Sequence, residues 1–271
     1  MSDPTVSSME VVKENIITFI RDTFSRQKMD NAVIAVSGGI DSAVALTLLT
    51  QALGKSAVNP ILLPYAQQDM SDAIEICRFN QFQDGDWLTM NIQSVVDQLC
   101  DMRAIDEADR VRRGNVMARI RMIMVFDYAK EKQALVCGTE NKSEKHLGYF
   151  TRFGDAASDV EPINVLYKTQ VRALAQHLGL PEHLCTKTPS AGLWADQTDE
   201  AELGFSYAEA DIVLQQLVDE GRKPSEIAPE GIAIETVANI LKQVQKNHFK
   251  QQVPYVTQLT ISDFDGAAVR W

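Results

Sequence analysis

The chain has 271 residues, 45% of them hydrophobic and 23% charged, the composition of a globular protein long enough to bury a substantial core. Its formal net charge of −11 argues against a nucleic-acid partner, which needs a broad basic surface, but leaves room for a local basic cluster around a small anion. No apolar run approaches the length of a membrane span, and Met1-Ser2-Asp3-Pro4 lacks a basic-then-apolar leader, so no membrane partner and a cytoplasmic location are expected.

Ser7-Ser8-Met9-Glu10 reads as a capping box ahead of an amphipathic helix carrying Val12, Ile16, Phe19 and Ile20. The run 32–36 predicts a buried strand, 43–53 a helix ended by Gly54, and 57–63 a second buried strand closed by Pro64. A helix over 71–82 and a short strand around 87–90 follow. Residues 106–132 hold one glycine and no proline, with apolar residues at helical spacing, and 134–138 is another short apolar strand. This alternation predicts an α/β fold, a Rossmann-like parallel sheet covered by helices on both faces. From 142 to about 204 the pattern thins, apart from a helix at 169–178, and so long an irregular stretch is usually functional or disordered. Helices return at 207–220 and 232–248. No repeat or linker divides the chain, so a single domain over 1–271 is expected.

The four cysteines, Cys77, Cys100, Cys137 and Cys185, are widely spaced without a CxxC pair and read as buried reduced thiols. His146, His177, His183 and His248 are equally scattered, which argues against a histidine-based metal site.

The turn Ser37-Gly38-Gly39-Ile40-Asp41-Ser42 follows the first strand and opens a helix. Adjacent glycines let backbone amides close around an anion, and the helix aims its positive end at the same spot. Asp41 suits Mg²⁺ on a phosphate better than a bare phosphate. No lysine follows the glycines as a Walker loop requires, Ser42 stands where the dinucleotide fingerprint needs a third glycine, and Ala35 replaces the glycine of a nucleophile elbow. The combination suggests an ATP site that releases pyrophosphate, with an ordinary β-turn-α corner as the alternative. In parallel sheets ligands bind beyond the carboxyl ends of the strands, where Ser37–Asp41 and Thr139–Glu144 both fall.

Three further segments narrow the reading: Asn115-Val116-Met117-Ala118-Arg119-Ile120-Arg121-Met122; Cys137 to Glu144 running on through Gly148 to Asp155; and Thr186 to Trp194 with Asp199-Glu200 beyond. With these, the chain resembles the ammonia-dependent NAD synthetases of the N-type ATP pyrophosphatase superfamily, over most of its length. The resemblance implies a fold of the adenine nucleotide alpha hydrolase type. It also implies a two-step reaction, in which the nicotinate carboxylate of deamido-NAD is adenylated by ATP with loss of pyrophosphate, and ammonia then displaces AMP. Matched position by position, Ser37, Gly38, Gly39, Ile40, Asp41, Ser42, Thr139, Lys168 and Ser190 fall on ATP-binding positions. Asp41 and Glu144 fall on Mg²⁺-binding acids, and Arg119, Arg152, Asp159 and His248 on positions that hold deamido-NAD. Asp41, Lys168 and His248 are the implied catalytic groups. Arg119 and Arg121 share one helix, where pairing with surface acids is the alternative, evenly balanced for Arg121. Lys168 begins a helix, where a cation opposes the macrodipole and an anionic ligand would relieve the conflict.

The chain departs from the family near its C-terminus, where a His-Lys-Arg run is common. Here His248 keeps its place, Phe249 stands at the lysine position, and Lys250 follows one residue later. Arg152 and Ser190 replace the usual lysine and threonine and preserve charge and hydroxyl. Rival readings are another ATP pyrophosphatase amidotransferase, for which the extra glutaminase or cysteine cluster is missing, and a non-catalytic nucleotide-binding homologue, favoured only by Phe249. The length leaves no room for an amidase domain beside the synthetase, so free ammonia is the expected donor. The family's homodimer with a shared active site is likewise implied, with the long helix after Asp106 compatible with the interface.

Overall fold

The computed structural model describes residues 4–194, 197–252 and 254–256. In chain order its main elements are α1 (Pro4–Gln27), β1 (Asn31–Ala35), α2 (Ile40–Leu53), β2 (Val58–Leu62), α3 (Ser71–Phe79), β3 (Leu88–Thr89), α4 (Gln93–Met102) and α5 (Arg110–Lys132). They continue with β4 (Ala134–Cys137), α6 (Lys142–Leu147), α7 (Lys168–His177), α8 (Glu182–Thr186), α9 (Asp199–Leu203), α10 (Tyr207–Leu214) and α11 (Ile234–Asn247).

The strands form one parallel sheet in the order β3-β2-β1-β4, with Ala32 opposite both Val58 and Leu135. The chain builds outward from β1 through β2 to β3, then crosses back to lay β4 on the other side of β1. The switch point therefore lies between β1 and β4, where a crevice opens beyond the strand ends. The segments that follow those two strands are Ser37–Ser42 and Gly138–Glu144.

Both faces of the sheet are covered. On one, α1, α2 and α7 pack Ile16, Ile20, Leu46, Leu49, Val171 and Leu174 into the largest core cluster. Helix α2 is buried from Ile40 through Leu49 except Asp41, which explains its near-continuous apolar sequence and anchors the glycine turn at its start. On the other face, α4 and α5 pack Val96, Met117, Ile120 and Val125 against Val33 and Ile61. A third cluster joins α6, α10 and α11 through Leu147, Tyr207, Leu214, Val237 and Ile240.

The elements differ from expectation in definable ways. Helix α1 already includes Ser7 and Glu10, so they lie within its first turns rather than at its cap. Helix α4 was not expected, although Ile92, Val96 and Cys100, spaced by four and all buried, line its inner face. The stretch 142–204 carries α6, α8 and α9 as well as α7, all three too short for a periodicity to show. Helix α10 ends at Leu214 and widens into a π turn over Gln215–Asp219. The four cysteines are buried and unpaired. Among the described residues no helix is long and apolar enough to cross a membrane.

Candidate active site

Beyond β1 the chain turns into α2 through a backbone that requires glycine. Gly38 has φ +85°, and a Cβ there would stand 3.1 Å from Asp72 Cβ and 3.2 Å from Ala73 N. Two hydroxyls brace the turn: Ser42 Oγ donates to Gly39 O at 2.9 Å and accepts from Ser37 N–H at 3.3 Å, and Gly39 N–H donates to Ser37 Oγ at 3.2 Å.

Beyond β4, Asn141 caps α6 in a reciprocal box with Glu144. The same Asn141 donates its amide N–H to Asp41 Oδ1 at 2.9 Å and so ties the two loops across the switch point. Between the two acids lies the Lys168 ammonium, 2.5 Å from Asp41 Oδ2 and 2.8 Å from Glu144 Oε1, with the Tyr207 ring 5.1 Å away. Burial opposes charging of Lys168, but the adjacent Asp41 and Glu144 carboxylates outweigh it and hold the ammonium well above the ordinary lysine value. Burial raises Glu144 to about 7 against the pull of Lys168, with the Asp41 charge adding to the rise. The conflict between Lys168 and the α7 dipole is thus relieved by protein carboxylates. Asp211 adds to this by accepting the Thr169 N–H at 2.9 Å in the same first turn.

These groups open on a cavity of about 660 Å³, the size of a nucleotide-scale site. Ser37, Gly38, Gly39, Ile40, Asp41, Ser42, Thr139, Lys168 and Ser190 all line it, together with Glu144. The structure does not bring the other expected set there. Arg119 is exposed on the outer side of α5, donates to Arg152 O at 3.2 Å, and lines a second groove with Val111, Val116 and Ile123. The Arg152 guanidinium stacks over Phe153 and Phe249, at 5.3 and 5.4 Å. Asp159 is committed to the sheet edge, where its carboxylate accepts the Val136 N–H at 2.8 Å. His248 is exposed beyond the end of α11 and does not line the cavity.

The departure at Phe249 has a local resolution. A single 3₁₀ turn over His248–Lys250 leaves Phe249 45% exposed and turns Lys250 inward. The Lys250 ammonium donates to the carbonyls of Gly148 at 2.6 Å and Phe150 at 2.9 Å, and the residue lines the cavity.

Other cavity residues carried weaker signals or none. Arg121 donates from Nε to Leu63 O at 3.0 Å and from Nη2 to Gln68 Oε1 at 3.0 Å, and burial lowers its pKa to about 10. Asp155 accepts the Thr151 N–H at 3.0 Å, and Asp199 accepts the Ala191 N–H at 3.0 Å. Asn141 was legible as the first residue of an Asn-x-x-Glu box, whereas Lys187 and Asp199 lay in the segments that carry the family resemblance but were given no role. Beside β4, Glu140 and Glu161 form a second acidic pair, in which Glu161 Oε2 accepts the Glu140 N–H at 3.1 Å. Burial, then the charge of Glu161, pushes Glu140 up to about 8, and its Oε1 is buried without a partner.

The donor set at the switch point fits a hard divalent cation. Asp41 and Glu144 offer only carboxylate oxygens, converge on the Lys168 ammonium at the cavity wall, and have no sulfur or imidazole between them. A parallel sheet whose switch point carries a glycine turn and converging acids at the cavity mouth defines an α/β nucleotide-binding protein. The chain belongs to the NAD synthase family, whose sequence model matches residues 12–254. It is 38% identical over 250 residues to an NH(3)-dependent NAD(+) synthetase of Chlorobium phaeobacteroides, covering 92% of this chain and 90% of that one. A Methanosarcina acetivorans protein of the same name is 39% identical over 257 residues, covering 92% and 98%. Among solved structures, it is similar to an NH3-dependent NAD synthetase from Campylobacter jejuni (TM-score 0.75, 30% identity, 92% and 99% covered). It is also similar to an NMN synthetase from Francisella tularensis (TM-score 0.79, 28% identity, 93% and 99% covered).

Proposed function

We propose that this chain amidates the nicotinate carboxylate of deamido-NAD with ammonia at the expense of ATP, giving NAD, AMP and pyrophosphate. The observation that carries the reading is the convergence of Asp41, Glu144 and Lys168 beside the glycine turn, in a cavity lined by the whole expected ATP set.

A carboxylate is a poor electrophile, so it must first gain a leaving group. Its oxygen attacks the α-phosphorus of ATP, and the bond from that phosphorus to the bridging oxygen breaks as pyrophosphate departs. Ammonia then attacks the acyl carbon, loses a proton, and expels AMP. The chain's part is chiefly positioning and charge neutralisation. The turn and the start of α2 receive the pyrophosphate end, while Thr139 and Ser190 flank the nucleotide. Asp41 and Glu144 would hold Mg²⁺, which supplies neutralisation of phosphate charge when bound. Lys168 keeps the two acids from repelling one another and fixes their spacing.

The residues expected on deamido-NAD are not among those lining the chain's own cavity, and Arg119 instead lines a groove with Ile123, which is exposed. That arrangement supports a homodimer in which Arg119 and its neighbours complete the partner's site.

The test is pyrophosphate release from ATP and Mg²⁺, with deamido-NAD or nicotinate mononucleotide as acceptor and ammonium as nitrogen donor. The expected result is stoichiometric NAD and pyrophosphate with deamido-NAD. No acceptor-dependent release overturns the reading, and preference for the mononucleotide reassigns the acceptor.

A further inference from the structure

The buried cation beside the glycine turn is already committed. Lys168 is 2% exposed, and its ammonium is held by Asp41 and Glu144. A triphosphate brings several negative charges to a turn whose own surroundings, Asp41, Asp69 and Asp72, are acidic. Mg²⁺ on the two acids would offset part of that charge, and a side-chain cation within reach of the turn would offset more. Arg121 is fixed on Leu63 and Gln68, and Lys250 on the carbonyls of Gly148 and Phe150. Lys246 also lines the cavity, from the last turn of α11.

Lys187 is different. It lines the cavity, and its ammonium lies 2.5 Å from Asp72 Oδ2. Asp72 in turn packs against the turn itself, with its Cβ 3.1 Å from where a Cβ on Gly38 would stand. The ammonium therefore sits one side chain away from the backbone that receives phosphate. The Lys187 side chain is 56% exposed, and an ion pair so exposed to water is weak and easily exchanged, unlike the buried Lys168 pairs. Its backbone starts the segment 187–194, which borders the cavity and is pinned where Asp199 N–H donates to Pro189 O at 3.0 Å and its carboxylate accepts from Ala191. A fixed backbone with an exposed ammonium held by one exchangeable ion pair suits a point charge that swings onto phosphate.

We propose that Lys187 is the cation that binds the pyrophosphate end of ATP, and that Asp72 holds it at the rim and competes with phosphate for it. The proposal rests on the ATP reading of the Ser37–Ser42 turn and adds a residue to that site.

Calorimetric titration of the full chain with Mg²⁺–ATP, Mg²⁺–pyrophosphate and AMP tests it. Lys187→Met is expected to weaken ATP and pyrophosphate about tenfold while leaving AMP unchanged, with Lys187→Arg recovering most of the loss. Asp72→Asn, which releases the ammonium, should bind ATP as tightly as the natural chain or more tightly. The assignment is overturned if Lys187→Met binds ATP and pyrophosphate like the natural chain. It is equally overturned if Asp72→Asn weakens ATP as much as Lys187→Met does, because the pair would then merely hold the segment 187–194 in place. Failure of the natural chain to bind ATP would instead sink the ATP reading itself.

Discussion

The wall of the cavity and the outer face of α5 are built on opposite principles. Along the wall, groups from distant parts of the sequence are bonded to one another: Asp41 to Asn141 and Lys168, Lys168 to Glu144, Lys168 N–H to Ser143. On the other side, exposed Arg119 of α5 donates to Arg152 O, the half-buried Arg152 guanidinium stacks over the exposed Phe249, and Asp159 is occupied at the sheet edge beside β4. The first region is complete within one chain because two neighbouring parallel strands deliver their loops to the same crevice. The second has no such convergence. It is a surface, the arrangement that the proposed sharing of a site between two copies requires.

The contrast can be broken at either region. The largest effect is expected inside: Asp41→Asn should lower kcat by about 10²- to 10³-fold with the fold retained, measured by pyrophosphate release and circular dichroism. Near-normal turnover would remove Asp41 from the metal and phosphate site. Next, Lys168→Met leaves two buried carboxylates without their cation and should cost about 3–5 kcal/mol in denaturant unfolding. A loss below about 1 kcal/mol would show that solvent already screens the trio. Outside, Arg119→Ala should raise KM for deamido-NAD about tenfold with KM for ATP unchanged, the pattern of a group that touches only one substrate.

The C-terminal turn joins the two regions and separates them within one residue. Lys250→Ala, which removes the inward cation, should lower kcat/KM about tenfold, whereas Phe249→Ala should shift KM for deamido-NAD by no more than about threefold through the lost stacking on Arg152. A final prediction, on stability and not on turnover, concerns Glu140. Its folded pKa of about 8 lies above the ordinary 4.5, so the native state binds a proton that the unfolded state has lost between those values. Stability therefore falls as pH rises from about 5 to about 8, and Glu140→Gln should flatten that decline in thermal unfolding. An unchanged slope would show that Glu140 is already ionised in the native chain.

The sheet was readable in the sequence because buried parallel strands are short apolar runs bounded by turn residues, and 32–36, 57–63, 87–90 and 134–138 all are. Helix α5 was readable for its length. Helix α4 escaped because Gln93, Ser94, Asp97 and Gln98 dilute its apolar stripe, and α6 because six residues show a cap but no period. At the site, the glycine turn announces itself through chemistry that few residue types can perform. The partnership of Lys168 with Asp41 and Glu144 did not, since it joins residues 127 and 24 positions apart. Motif matching could place Arg119, Arg152, Asp159 and His248 on a ligand without saying that they are not part of the lining of their own cavity. That is a property of packing, and only the folded chain displays it.

Mixing two impaired variants, assayed at deamido-NAD well below KM, tests the division most directly. Asp41→Asn disables the inner region and Arg119→Ala the outer one, and after subunit exchange a shared site predicts recovery of about a quarter of natural activity, from the one intact site in each mixed dimer. No recovery, with exchange verified by differently tagged chains, would place both halves of the site in one chain and contradict the account.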